Sequence, residues 1–395
     1  MARPSVVVVT NIRILAGLTA LALAIALVGC DTPAGTTGGA TSTATSSGAV
    51  TEVAVPDSAV RVLARGLRVP WGIAFLPDGT ALVTERGNRT PGNAGGTARI
   101  VRVTPDGTVT EAQKIPGVAN RIGEGGLLGI AVSPHYASDR WVYIYYSNET
   151  DNRIARLRLG EPPEPILTGI PVHDYSPDGD RYHLGGRLAF GPDGMLYATT
   201  GETAVQADLA QDRNSLGGKI LRITPEGRPA PGNPFPGSPV YSLGHRNVQG
   251  LAWDSRGRLY ASELGDKTFD ELNRIEAGRN YGWPMAEGTA GLANDARFTP
   301  PIATWSPTST CSPSGIAILN DRVYVACLAG HRLYRVGIDG QPNEAMLVNR
   351  YGRMRAVTVA PDGSLWLLTS NLDGPGVRGE GGAVPHDDFV IRLAP

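Results

Sequence analysis

The chain has 395 residues, 41% hydrophobic and 18% charged, with 36 Lys and Arg against 37 Asp and Glu. This is a globular composition, and it carries no basic excess to neutralise a phosphate backbone, which speaks against nucleic-acid binding. Gly (51) and Pro (31) interrupt the chain too often for long amphipathic helices, so a helical bundle is ruled out and a doubly wound α/β enzyme disfavoured.

In chain order, Arg3 and Arg13 come before an apolar run from Ile14 to Val28, then Gly29 and Cys30. A basic start, a hydrophobic stretch and a small residue before the cut describe a secretory signal, so residues 1–30 are expected to be removed on export. Leu27-Val28-Gly29-Cys30 resembles a bacterial lipobox, which predicts lipidation of Cys30 and a membrane anchor on the outer side of the cytoplasmic membrane or in the cell envelope. Residues 31–56 are rich in Gly, Ala, Ser and Thr and are expected to form a flexible tether. Residues 57–395 form the predicted folded domain.

That domain repeats. A short apolar segment recurs as Gly72-Ile73-Ala74-Phe75, Gly129-Ile130-Ala131-Val132, Arg187-Leu188-Ala189-Phe190, Gly250-Leu251-Ala252-Trp253, Gly315-Ile316-Ala317-Ile318 and Ala356-Val357-Thr358-Val359. Most copies lead into a turn such as Pro77-Asp78-Gly79 or Pro192-Asp193-Gly194, where Gly supplies the positive φ of a tight hairpin. A second strand follows, then a third that carries an Arg among apolar residues: Arg102, Arg156, Arg222, Arg274, Arg335 and Arg392. Six antiparallel units of this kind predict an all-β, six-bladed propeller, whereas a two-sheet sandwich would not give six in-phase copies. The last copy ends at its third strand. The strand around Ala59–Leu63 has no blade of its own, so it is expected to complete the sixth blade and close the ring.

In a propeller the first strands line the axis, and the residues just before them meet at one mouth. This gathers Arg68, Gly125, His183, Arg246, Cys311 and Gly352, with Glu124, Asn247, Gln249, Arg353 and Arg355 as neighbours. The exits of the second strands add Glu85, Glu202, Gly265, Asp266, Ala329 and Asn371. Three Arg at one rim suit a ligand with several negative charges, since guanidinium pairs bidentately with carboxylate. His183 is a candidate general base, with a structural histidine as the alternative. Gly265 and Asp266 offer the hard oxygen donors that Ca²⁺ takes, and a charged surface turn is the equal alternative. Cys311 and Cys327 remain after processing and are expected to be bridged outside the cytoplasm.

The segments EGGLLGIAVSP (124–134), HLGGRLAFGPDGMLYATTGE (183–202), GHRNVQGLAWD (244–254), ELGDKTFDELNRIEAGRNYGWP (263–284) and RMRAVTVAPDG (353–363) resemble the PQQ-dependent aldose sugar dehydrogenases, the glucose/sorbosone dehydrogenase family. The resemblance implies a six-bladed propeller that binds pyrroloquinoline quinone (PQQ) and Ca²⁺. It implies oxidation of the C1 hydroxyl of an aldose to a lactone, with hydride passing to PQQ and electrons to a quinone or dye acceptor. His183 would be the base, Arg246 and Asn247 would meet the quinone oxygens with Gln249 close by, and Arg353 and Arg355 would bind cofactor carboxylates. The carbonyls of Gly265 and Asp266 would hold the catalytic Ca²⁺, and Glu271 and Tyr281 match positions near a second calcium. Three positions depart from the family pattern. Ala329 stands where members carry Lys or Arg, Asp266 stands where glucose-specific members have Pro, and Tyr182 stands where they have an acid. The rival functions are a non-catalytic propeller binding a glycan or protein and a calcium-dependent lactonase. The lactonase would need acids and amides at a mouth that is rich in Arg.

Overall fold

The computed structural model describes residues 50–87, 98–119, 123–177, 179–289, 295–341, 343–373 and 387–394. The signal segment, Cys30 and the tether up to residue 49 lie outside them. Six sheets form blades I to VI, each with four antiparallel strands hydrogen-bonded side by side. Their first strands are Pro70–Phe75, Leu127–Val132, Leu188–Phe190, Val248–Trp253, Pro313–Leu319 and Met354–Val359. Each first strand packs against the first strands on both sides, and blade VI meets blade I, so the ring closes.

The closing strand is Val60–Leu67, which pairs antiparallel with the third strand of blade VI, Asp388–Leu393. Val60 faces Leu393, Arg61 faces Arg392 and Val62 faces Ile391. The strand that opens the propeller and the strand that ends it thereby share one sheet, which closes the ring. One addition was not legible in the repeats. Thr51–Glu52, within the stretch read as tether, pair in parallel with Glu344 and Ala345 on the outer edge of blade V.

The recurrent third-strand Arg has a structural meaning. In five blades it lies directly across from an aromatic residue of the second strand: Tyr143, Tyr197, Tyr260, Tyr324 or Trp366. That aromatic residue in turn faces the Ala or Thr of the first strand. Five blades therefore carry a small–aromatic–Arg row, with cross-strand packing as its unit of stabilisation, and blade I has Leu82 in the aromatic place. The Arg then reaches a carboxylate, as in Arg222–Asp193 at 2.8 Å and Arg335–Glu344 at 2.6 Å.

Glycine on the first strands answers a different need. A Cβ on Gly129 would stand 2.1 Å from the carbonyl oxygen of Gly186 in the next blade, and one on Gly250 would stand 2.5 Å from that of Ser314. Backbone approaches backbone here. Near the mouth of blade V, Cys311 and Cys327 form a disulfide with their Cα atoms 4.6 Å apart. Leu328 N–H donates to the Ser312 carbonyl and Gly330 N–H to that of Cys311, which pins the turn beyond the bridge.

Two outcomes follow. Gly129→Ala should lower the free energy of unfolding by about 1–3 kcal/mol, because the obstructing atoms are main chain and must shift; a denaturant titration reads this. Replacing both Cys311 and Cys327 by Ser should cost roughly 3 kcal/mol through the loop of that length left open in the unfolded chain. The corresponding loss of melting temperature in oxidising buffer checks it.

Candidate active site

The start of each first strand pairs with the end of its second strand, so lead-in and exit residues share one end of the propeller. Pro70 faces Glu85, Val248 faces Glu263 and Pro313 faces Cys327. Exit side chains then tie down the lead-in backbone. Glu85 accepts the Arg68 amide (2.9 Å), Asn371 accepts the Arg353 amide (2.8 Å), and Glu263 accepts the Arg246 amide.

Blade III uses the same position differently. Its exit residue, Glu202, is buried and takes the His183 side chain, Nδ1 to Oε1 at 2.6 Å. A carboxylate only accepts, so Nδ1 carries the proton and Nε2 is left as the basic nitrogen. His183 sits at φ 51°, an uncommon conformation for a residue with a side chain. It is held there by the Thr203 amide on its carbonyl (3.3 Å) and by Gly201, whose missing Cβ would stand 1.9 Å from that carbonyl oxygen. The Glu202 amide donates to the carbonyl of Arg246 at 3.0 Å, which joins the histidine of blade III to the arginine of blade IV.

His183, Glu202 and Arg246 line a cavity of about 390 Å³, together with Asp266 and the aromatic rings of Tyr175, Tyr182 and Trp283. The Arg246 guanidinium lies 5.3 Å from the Trp283 ring centre and pairs with the Asp266 carboxylate at 3.1 Å. Its backbone is anchored by Glu263, whose other oxygen holds Nδ1 of the buried His245 at 2.9 Å. His245 stacks on Tyr281 with 4.8 Å between ring centres, and its Nε2 meets the Ser242 hydroxyl at 2.8 Å. The role of His245 was missed in the sequence, although it stands beside Arg246 in the GHRN segment.

The remaining expected residues gather around the axis. Asn247 donates to Glu124 (3.1 Å) and accepts the Gly185 amide (3.0 Å). Gln249 Oε1 accepts Arg355 Nη1 at 2.8 Å and the Ser314 hydroxyl at 3.0 Å. Arg353 and Arg355 are both buried. Burial pushes Arg355 down to about 10 against the opposing pull of Asp373. Two partners were not anticipated. Arg86 grips Asp373 with both nitrogens, at 2.8 and 3.0 Å, and Asp373 also takes Arg355 at 3.4 Å. Arg86 directly follows the exit residue Glu85, and that adjacency was the available signal.

The loop after the second strand of blade IV is shaped by Glu287, whose Oε1 accepts the amides of Asp266, Lys267, Thr268 and Phe269 at 2.8–3.3 Å. The oxygens this stretch offers a cation are the carbonyls of Gly265 and Asp266 and the Asp266 carboxylate, which pairs with Arg246. Among the described residues no three His, Cys, Asp or Glu side chains converge on a metal site. A Ca²⁺ here would therefore rest on backbone carbonyls and on oxygens of its ligand, a donor set that suits a hard cation. Asp270 links this loop to the disulfide turn, accepting the Gly265 amide at 3.1 Å and the Ser312 amide at 2.8 Å. Glu271 is buried near Glu263, and both effects hold its carboxyl well above the usual range. It accepts the Gly288 amide (2.6 Å) and the Asn273 side chain (2.9 Å). The Tyr281 hydroxyl donates to the Arg274 carbonyl at 2.7 Å.

Ala329 is exposed at the fifth-blade turn. The nearby Arg332 donates to the Gly330 carbonyl at 2.7 Å and lies 5.8 Å from the Tyr334 ring. His331 is held toward its neutral form by burial and by the charges of Arg353 and Arg332.

Comparison with known proteins gives the family. The family model for glucose/sorbosone dehydrogenase matches residues 67–378. A PQQ-bound aldose sugar dehydrogenase from Streptomyces coelicolor is 48% identical and superposes with a TM-score of 0.73 over 85% of this chain and 97% of its own. An aldose sugar dehydrogenase of Escherichia coli is 29% identical over 80% of this chain and 91% of its own length. An uncharacterized protein of Synechocystis is 32% identical over 91% and 96% respectively. With its six blades, its histidine–carboxylate pair and its Arg-lined mouth, the chain belongs to the glucose/sorbosone dehydrogenase family of oxidoreductases.

Proposed function

We propose that the chain is a PQQ- and Ca²⁺-dependent aldose dehydrogenase that converts a sugar to its lactone, with His183 as the base. The observation that carries this reading is the 2.6 Å His183–Glu202 contact at the wall of a cavity shared with Arg246. Glu202 keeps the imidazole in one tautomer and offsets the positive charge that forms when Nε2 takes the C1 hydroxyl proton. Arg246 brings a fixed cation to the place where negative charge develops on an acceptor oxygen. PQQ would supply the two-electron sink, and a Ca²⁺ held by the carbonyls of Gly265 and Asp266 would supply a Lewis acid.

The residues fit such a cofactor. The Nε atoms of Arg246 and Arg355 are buried with no hydrogen-bond partner in the chain, which suits a polyanion arriving from outside. Glu271, with Tyr281 in the same blade, is the expected second calcium site, since a divalent ion would relieve the repulsion between Glu271 and Glu263. Tyr175, Tyr182 and Trp283 in the cavity wall are the aromatic side chains that would pack against the apolar side of a sugar. Export and lipidation at Cys30 would place the site outside the cytoplasm and deliver electrons to a quinone; a Cys30→Ala variant that leaves the membrane fraction tests the anchor. The second reading, a propeller that binds a glycan or protein without turnover, is favoured only by the exposed Ala329 at the expected cationic position.

Adding PQQ and Ca²⁺ to the purified protein should produce aldose-dependent dye reduction that needs both additions. Failure to bind PQQ even at high concentration would sink the dehydrogenase reading and leave the binding propeller. His183→Ala should lower kcat by roughly 10²–10⁴-fold with PQQ affinity retained; lost affinity with unchanged kcat would contradict its role as base. Glu202→Gln should lower kcat by at least about tenfold and shift the pH profile of kcat, because the amide no longer favours one imidazole tautomer.

A further inference from the structure

Lys219 opens the third strand of blade III, Lys219–Ile223, and is wholly buried. Its ammonium donates to three main-chain carbonyls: Leu209 at 2.6 Å, Gly217 at 2.6 Å and Ala210 at 3.1 Å. Three hydrogens meet three acceptors, so the group is fully satisfied as a cation. Burial pushes it down to about 7, and Asp212 pulls it back toward the charged form. The three carbonyls belong to the turn that follows the second strand of blade III. A neutral amine has only two hydrogens to give them, and an uncharged side chain has none. Buried carbonyls left without a donor are costly, so the turn needs the ammonium to keep this shape.

The turn reaches the cavity by three routes. Its own Ala207 lines the cavity. The Ala210 carbonyl also accepts the Gly244 amide at 2.9 Å, two residues before Arg246, and a Cβ on Gly218 would stand 2.5 Å from the His245 carbonyl. The turn is thus fitted closely against the segment that carries Arg246. Gln211, the residue after Ala210, donates to the Trp283 carbonyl at 2.5 Å and exchanges hydrogen bonds with the Asn280 side chain at 2.7 and 3.1 Å. The Trp283 amide in turn donates to the Gly244 carbonyl at 3.0 Å. A chain of short contacts therefore runs from a buried ammonium to the aromatic residue beside Arg246 in the cavity wall.

We propose that Lys219 is a positioning residue for the site: its ammonium fixes the turn, and through Gln211 the turn sets the place of Trp283 in the cavity wall. This rests on the reading of the cavity as the aldose site. All three hydrogens of the ammonium are spent on the turn, so its effect on substrate is carried by the wall and falls on binding rather than on proton removal.

Lys219→Met keeps a long unbranched side chain and removes the charge. In the purified variant, hydrogen exchange at the Gly244 and Trp283 amides should quicken about tenfold or more, with the amides of Leu365–Thr369 in blade VI unchanged. In protein loaded with PQQ and Ca²⁺, KM for the aldose should rise about fivefold or more while kcat changes less than about twofold. Gln211→Ala keeps the ammonium and cuts the link, so it should quicken exchange at Trp283 and raise KM alike; it decides the matter if Lys219→Met does not fold. The two substitutions together should raise KM no further than either alone, because they act through one path. Wild-type exchange at Trp283 overturns the proposal. A lowered melting temperature with unchanged KM marks Lys219 as merely structural and overturns it too. If the wild-type protein turns over no aldose, the dehydrogenase reading fails, and exchange at Trp283 alone upholds or overturns the positioning role.

Discussion

Six first strands approach one axis so closely that a methyl group does not fit between most of them. Side chains at Gly72, Gly129, Gly250 and Gly315 would each strike the main chain of the following blade. Overlap with backbone cannot be relieved by a rotamer change, so glycine is the residue this contact admits. The close ring aligns the strand starts at one end, and that end becomes the mouth. Closure by Val60–Leu67 then makes the ring depend on both ends of the chain.

The site is a reworking of a structural habit of the fold. In blades I, IV and VI the exit side chain holds a lead-in Arg by its backbone amide, leaving the guanidinium of Arg68, Arg246 or Arg353 to be directed elsewhere. In blade III the exit carboxylate reaches past the backbone to an imidazole. One repeat position thus serves as a main-chain clamp in three blades and orients the His183 imidazole in a fourth. The clamps matter to chemistry as well, because an arginine whose backbone is fixed can present its charge without first being ordered.

Charge is distributed with the same economy of position. Arg86, Arg187, Arg353 and Arg355 are buried about the axis, with Asp373 as the buried acid among them. A field of that sign inside a low-dielectric channel draws an anionic group and disfavours a cationic one. The acids of blade IV work at the other edge of the mouth. There Glu287 gathers four amides, and Asp270 joins the Gly265 loop to the disulfide turn of blade V.

The six repeats, their turns and the mouth residues His183, Arg246, Asn247, Gln249, Arg353 and Arg355 were legible in the sequence, because a propeller imposes a period and the period dictates which residues share an end. Lys219 was present as the charged residue that opens the third strand of blade III. Its meaning stayed hidden because a period cannot say which carbonyls a long side chain reaches. The Arg86–Asp373 pair spans 287 residues, and the Glu287 cradle joins a loop to a residue beyond the next strand. Such contacts belong to no repeat. The sequence by itself therefore determined the fold, its closure and the membership of the mouth, all of which follow from local pattern. Only the tertiary structure decided which nitrogen of His183 is left basic, which side chain holds each Arg, and where a buried charge lacks a partner, because these depend on distances between blades that no local pattern encodes.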